Sequence, residues 1–394
     1  MNRILAIIWM NLYSVPQRLG SSLVIVIGIA GVVGVLVALL AMSQGFGATL
    51  KSTGKTDRAL FLSAGVTTEL SSVLGADVVP ILRELPSVVR DADGKPLASA
   101  EIMVITELSR GSGDNQADVN VSLRGVEPAG LKLRPEVTLR EGRWFTPGLR
   151  EIVAGQGAAQ QFDGITLGST LKFRGSEWTV VGIFSADGDA HDSELWTDAD
   201  TARSAFGRGN SASSVLAQMT APADIETIKT TVQADPRLRV DAMPEQEYFS
   251  NQSKQFTQQI GLLTGVVATI MAIGALFGAL NSMYSAVSTR QVEIATLRAI
   301  GFGGLPVALS VLAEAMLLAL SGGVLGGLIA YVLFNNMTVS TLGSNFTQVA
   351  FNFAVTPELM QKGLLWAMAI GLLGGLPPAL KAARQPVVEA LRGR

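Results

Sequence analysis

Cysteine is absent from these 394 residues, and histidine occurs once, at His191. The first absence excludes disulfides, thiolate nucleophiles and cysteine-ligated zinc. The second excludes a multi-histidine metal site within one chain and leaves no Ser/His/Asp grouping, so the chain is read as non-catalytic and free of cofactors. Charge is also scarce. Charged residues make up 16% of the chain, against roughly 25% in an ordinary soluble protein, and the mean hydropathy is +0.38. The net charge of −2 lacks the basic excess of a nucleic-acid binder, so no nucleic-acid partner is expected. A membrane protein carrying some soluble mass fits all of this.

The missing charge falls in blocks. None occurs from Leu19 to Leu50 or from Gln255 to Thr289. About 20 apolar residues cross a hydrocarbon core, and four stretches qualify: 21–43, 255–287, 305–334 and 359–380. The first is too long for a cleaved signal peptide and reads as an uncleaved anchor. Before it, residues 1–20 carry Leu5, Ile8, Trp9 and Leu12 at helical spacing, flanked by Arg3 and Arg18 and ended by Pro16, which suits a helix lying in the membrane interface. Arginine and lysine cluster at the N-terminus, at Arg290 and Arg298 within 288–304, and in the tail 381–394, whereas loop 335–358 has neither. That asymmetry predicts cytoplasmic termini, a cytoplasmic 288–304 segment and extracytoplasmic loops.

Residues 44–254 differ in character. Val119–Gly125 alternates with period two, Ile102–Leu108 does so loosely, and Val78–Leu85 is a β-rich run interrupted by Pro80. Leu171–Phe184 reads as a hairpin turning at Gly175-Ser176. Helical patterns appear near Gly155–Phe162, Thr197–Phe206 and Ala223–Ala234. The expected fold is therefore four transmembrane helices with an α+β extracytoplasmic domain of two subdomains inserted between helices 1 and 2. The polar, helix-patterned Met243–Gln259 runs into the second span as a stalk.

Two motifs mislead. Gly54-Lys55-Thr56 resembles the end of a phosphate loop, but the pattern needs glycine at position 49, where Thr49 stands. Asp187, Asp189 and His191 through Glu194 have the spacing that opens a calcium loop, but Asp192 and Asp198 replace its glycine and final glutamate. The stretch is read as an acidic surface loop and no metal site is expected. Gly274/Gly278, Gly322/Gly326, Gly323/Gly327 and Gly371/Gly375 are small-residue pairs that let helices approach in lipid and favour oligomerisation. Glu314, inside the third span, is read as an inter-helix or partner-facing carboxylate.

Between spans two and three, Arg290 and Glu293 can pair at i, i+3, Ile294 and Leu297 form a small apolar face, and Gly301–Gly304 ends the helix. The string from Arg290 to Gly301 resembles the cytoplasmic motif of the FtsX-like permease family, which includes MacB-type and LolC/LolE-type ABC transporter permeases. Leu312–Ala315, the tail from Pro378 to Arg392, and Gly182–Phe184 with Ser193–Trp196 extend the likeness over the whole chain. The resemblance implies a non-catalytic permease subunit of the bacterial inner membrane, a dimer (a homodimer is favoured) bound to two copies of an ATPase subunit. It implies coupling through Arg290, Glu293, Ile294, Leu297 and Arg298, while packing or dimerisation through Gly274, Gly278, Gly322, Gly326 and Glu314 is read from the small-residue spacing and the intramembrane carboxylate. MacB itself carries a fused ATPase domain that does not stand here, which implies a separate ATPase. Family members often act with a periplasmic adaptor and outer-membrane duct, partners that the resemblance leaves open here. The alternative function is non-transporting activation of a periplasmic partner such as a cell-wall hydrolase.

Overall fold

The computed structural model describes residues 19–110, 117–162, 164–342 and 348–386. The expected interfacial helix at 1–20 and most of the 381–394 tail lie outside the described residues. The chain forms two compact units, one of Gly45–Thr257 with Thr338–Asn352, the other of the remaining sequence.

The second unit is helical. Helix α1 (Leu19–Ser52) carries no charge before Lys51. It stops where Thr53 turns its hydroxyl back onto the Thr49 carbonyl and Gly54 takes a left-handed φ of 78°. Three further long helices, Glu245–Thr289, Gly304–Phe334 and Pro357–Arg384, bring to four the helices long and apolar enough to cross a membrane among the described residues. Helix α1 and the helices Glu245–Thr289 and Pro357–Arg384 run past their apolar stretches, because polar residues with helical propensity continue them beyond the span. Large exposed apolar side chains concentrate on them, among them Ile27, Leu262, Ile270, Phe277, Val332 and Leu365. Such a continuous apolar surface suits lipid.

The other unit, the inserted domain, is built on a ten-stranded sheet. Its strands are β1 (Arg58–Ser63), β2 (Ala98–Arg110), β3 (Ala117–Val126), β4 (Thr138–Gly142), β5 (Glu151–Gly155), β6 (Thr170–Phe173), β7 (Ser176–Ser185), β8 (Glu194–Asp198), β9 (Ser214–Gln218) and β10 (Val240–Pro244). The order is β10-β1-β9-β2-β3-β8-β5-β7-β4, with β6 also on β7. Pairing is antiparallel except for β3 with β8 and β5 with β7. The long β2 serves two lobes: residues 98–101 pair with β9 and 102–110 with β3. One lobe has its core around Phe61, Leu82, Val215 and Ile228. The other has a core on each side, around Trp178 and Leu195 and around Phe184 and Trp196.

Three expectations need correction. Val78–Arg83 is helix α2, not strand, and is followed in the domain by the short helices α3 (Pro128–Leu133), α4 (Gln156–Gln161), α5 (Ala199–Ala205) and α6 (Asp224–Ala234). Pro80 lies in the first turn of α2, where the missing N–H has no helical partner to lose. The hairpin turn falls one residue early, at Arg174-Gly175, whose φ angles of 51° and 67° are the left-handed pair of a type I′ turn. Loop 335–358 contains a hairpin, β11 (Thr338–Leu342) and β12 (Gln348–Asn352), which belongs to the inserted-domain unit.

Candidate functional site

Two places gather the charged residues. In the helical unit, α7 (Glu245–Thr289) ends at Arg290, the residue before α8 (Gln291–Ala299). Arg290 does not bond Glu293. Its guanidinium lies 3.1 Å from Glu314 of α9 (Gly304–Phe334), and both side chains are 5% exposed. The reason is conformational: Arg290 precedes the first helical turn, with φ −104° and ψ 15°, so it shares no helix face with Glu293. Glu314 is thereby an inter-helix group, and its carboxylate neutralises a cation in a poorly solvated place.

Ile294 and Ala295 are buried against the chain's own helices, and Leu297 is partly buried. The apolar face expected to meet a partner is therefore mostly turned inward. Arg298 donates to the main-chain carbonyl of Gln385, just past α10 (Pro357–Arg384). The side chains left outward on this segment include Glu293, Thr296, Val292 (57% exposed) and Ile300 (70%), with Leu305 (69%) at the start of α9. Gly301, at φ 102°, ends the short helix.

The glycine pairs divide. A Cβ on Gly322 would lie 2.8 Å from the Val26 carbonyl oxygen, and one on Gly326 would collide with the Ala30 carbonyl, so this pair seats α9 on α1. Gly323 and Gly327 face Ala367 and Met360 of α10, and Gly371 and Gly375 face Ala319 and Ala315. Gly274 and Gly278 on α7 meet nothing within 4 Å.

The second place, in the inserted domain, escaped sequence reasoning. Arg124 on β3 is 1% exposed and bonds three carboxylates at 2.8–2.9 Å: Glu69, Glu101 and Glu194. Arg134 forks onto Glu101 at 2.6 and 3.0 Å and lies 3.6 Å from Glu245, the first residue of α7. Arg58 bridges Glu245 and Glu136. Burial alone would raise the Glu101 and Glu194 carboxyls, but the guanidiniums hold both below their ordinary values, Arg134 and Arg124 acting on the first, Arg124 and then His191 on the second.

His191 joins this network. Its Nδ1 is 3.1 Å from Glu194, which also accepts from the Trp196 indole at 2.7 Å. The expected acidic surface loop is in fact buried: Asp189, His191, Asp192 and Glu194 are all under 10% exposed. Three other segments converge on its 3₁₀ turn, Ala190–Ser193. Thr53, after α1, accepts from the Ala190 N–H at 2.9 Å; Phe249 of α7 packs edge-on to the His191 ring; and Ser193 accepts from the Ala350 N–H of β12 at 2.8 Å. No group of acidic, histidine or cysteine side chains able to hold a metal ion occurs among the described residues.

The turn is expected to make stability pH-dependent. Burial opposes the charge on His191, but Glu194 and Asp189 outweigh it and raise its pKa above the ordinary 6.5; burial pushes Asp189 up to about 6. Groups that bind protons more tightly when folded stabilise at low pH. The His191 contribution is complete below 6.5 and lost as pH rises through its higher folded value, while that of Asp189 fades between 3.8 and about 6. Glu194, held low, behaves oppositely and loses its contribution as pH falls below 4.5. The melting temperature of the inserted domain, followed by tryptophan fluorescence, is expected to fall as pH rises above 6.5, through the raised His191 value, and His191→Gln is expected to flatten that fall. A wild-type melting temperature constant over this range would contradict the assignment.

Comparison with known proteins follows the same division. The model of the MacB-like periplasmic core domain matches residues 21–235, and that of the FtsX-like permease C-terminal region matches 265–387. An uncharacterised ABC transporter permease of Methanocaldococcus jannaschii is 23% identical over 266 residues, covering 65% of each chain. The macrolide export ATP-binding/permease protein MacB of Bdellovibrio bacteriovorus is 26% identical over 400 residues, covering 94% of this chain and 58% of that protein. This chain thus spans roughly three-fifths of the length of these two relatives. Among solved structures, the extracellular domain of the Gram-positive transporter YknZ aligns with 47% of this chain and 99% of its own, at 15% identity and a TM-score of 0.35. With one family model covering the inserted domain and another the helices that follow it, the chain belongs to the family of MacB-like, FtsX-like ABC transporter permeases.

Proposed function

We propose that this permease is a mechanical coupler: ATP hydrolysis by a partner ATPase, bound at the α8 segment, drives movement of the inserted domain for export or extraction of a substrate. The observation that carries the reading is α7. It is one unbroken helix of 45 residues, about 68 Å at the α-helical rise. Its first residue, Glu245, sits in the buried ion-pair network, and its last precedes Arg290, which pairs with Glu314. A helix held by buried charge at both ends transmits displacement instead of absorbing it. On this reading α8 is cytoplasmic, the inserted domain is periplasmic, both termini are cytoplasmic and the membrane is the bacterial inner membrane, as the distribution of arginine and lysine favours. The permease acts as a dimer with two ATPase copies, and Gly274 and Gly278, open on α7, suit contact with the second copy. A periplasmic adaptor and outer-membrane duct complete the export route.

In and just after α8 the grip falls on Glu293, Val292 and Ile300, with Arg298 holding the segment to the end of α10. Covering two such apolar side chains contributes about 3–6 kcal/mol. When the tagged full chain is purified from its native membranes, an ABC ATPase is expected to co-purify, and Ile300→Asp is expected to reduce its recovery by about tenfold or more without changing the yield of folded permease. Equal recovery with Ile300→Asp and with Glu293→Ala would remove the coupling assignment; recovery of a stoichiometric cell-wall hydrolase without transport would favour the activator role.

A further inference from the structure

The inserted domain leaves two strand edges open toward one cleft. Over residues 102–110, β2 pairs with β3 on one side only, because its other neighbour, β9, ends its register at Glu101 opposite Ser214. The phase of the exposed backbone can be read from Ser213. Its main-chain N–H bonds the Glu101 carbonyl, and its hydroxyl serves both the N–H and the carbonyl of Met103. Odd-numbered residues of β2 thus direct their peptide groups away from β3. The next two in that phase, Ile105 and Glu107, meet no hydrogen-bonding partner among the described residues. Across the cleft, β6 pairs with β7 and with no other described strand. Residues 105–108 and 170–174 line the same cleft, of about 670 Å³. The sheet has therefore curled until the open edges of β2 and β6 face each other across this cleft without joining.

A third observation marks the cleft as built to be filled. Thr106 lines it, is only 4% exposed, and its hydroxyl has no hydrogen-bond partner. It shares a face of β2 with Ile102, Val104 and Leu108, which belong to the apolar core. Burying an unpaired hydroxyl there is unfavourable unless something arrives to bond it.

We propose that an extended segment of a partner protein adds to β2 as a strand in this seam, pairing with the peptide groups of Ile105 and Glu107, with β6 as the second wall. The chemistry selects a polypeptide. Alternating donors and acceptors spaced two residues apart along an edge are met by another extended backbone, whereas an apolar small molecule would leave them unsatisfied. The seam carries Glu107 on one wall and Lys172 and Arg174 on the other, so recognition rests on the backbone and not on one sign of charge.

The test uses the full chain in lipid nanodiscs. In the free protein, the amides of Ile105 and Glu107 are expected to exchange rapidly while those of Thr106 and Leu108, facing β3, are protected. A phage-displayed library of linear peptides of about ten residues is panned against these nanodiscs, with empty nanodiscs as the control. Selected peptides are expected to slow exchange at Ile105 and Glu107, and to lose about tenfold or more in affinity when alternate peptide nitrogens are methylated. Glu107→Pro, which removes an N–H that β3 does not use, is expected to cause a similar loss; if that variant fails to fold, the methylated peptides on wild-type protein decide the matter. Protection of Ile105 and Glu107 in the free protein, enrichment no better than on empty nanodiscs, or binding indifferent to methylation would each overturn the proposal.

Discussion

Arg124→Ala is expected to destabilise the inserted domain by about 3–5 kcal/mol, the cost of removing one partner from a buried ionic cluster. The reason lies in what stays behind. Glu69 and Glu194 lose the guanidinium that bonds each of them twice, and Glu101 keeps only Arg134. These carboxylates are buried, so water cannot replace the lost donors. For a unit of this size the melting temperature should drop by roughly 6–20 °C. Arg124→Lys should restore little, because one ammonium cannot match a planar fork shared among three carboxylates. Trp144, Trp178 and Trp196 all lie in this unit, so thermal unfolding followed by tryptophan fluorescence reads the change. A melting temperature within a degree or two of wild type in Arg124→Ala would mean that the network contributes nothing to stability.

The second large effect is expected at Arg290. Arg290→Leu strands the Glu314 carboxylate inside α9 and should cost about 3–5 kcal/mol by the same argument. What is lost is the guanidinium that balances the Glu314 charge, and here a compensating change is available. Arg290→Leu combined with Glu314→Leu removes both charges and fills the space with apolar side chains, which often restores or improves stability. The double variant should recover most of the monodisperse protein lost in the single one, measured by size-exclusion chromatography in detergent. If it also retains the ATPase, the pair is a structural clasp; if it folds but loses the ATPase, the pair orients α8 for its partner. A double variant no better than the single one would show that the two residues do not act together.

Both sites show where local pattern stops being informative. Arg290 and Glu293 are spaced for an i, i+3 pair, but Arg290 precedes the helix and turns to a residue 24 positions away. Ile294 and Leu297 form an apolar face at helical spacing, yet spacing does not say whether that face meets the chain's own helices or a partner. Here it meets its own, and Val292 and Ile300 are left outside. The stretch from Asp187 to Glu194 has the composition of a solvated loop. Its part from Asp189 to Glu194 is buried because Thr53 after α1, Phe249 of α7 and β12 all close on it, and β12 comes from more than 150 residues further along the chain.

The sequence by itself determined the architecture: four helices long and apolar enough for a membrane, with an α+β domain between the first and second. Runs without charge and strands with period two are local properties, and the cost of exposing backbone or charge to lipid makes them decisive. Tertiary structure alone decided which charges are buried together. Arg124 meets Glu69 across 55 positions and Glu194 across 70, and whether such residues touch depends on strand register and on which edges stay unpaired. No single segment carries that information, because a buried ion pair exists only after two distant surfaces have excluded water from between them.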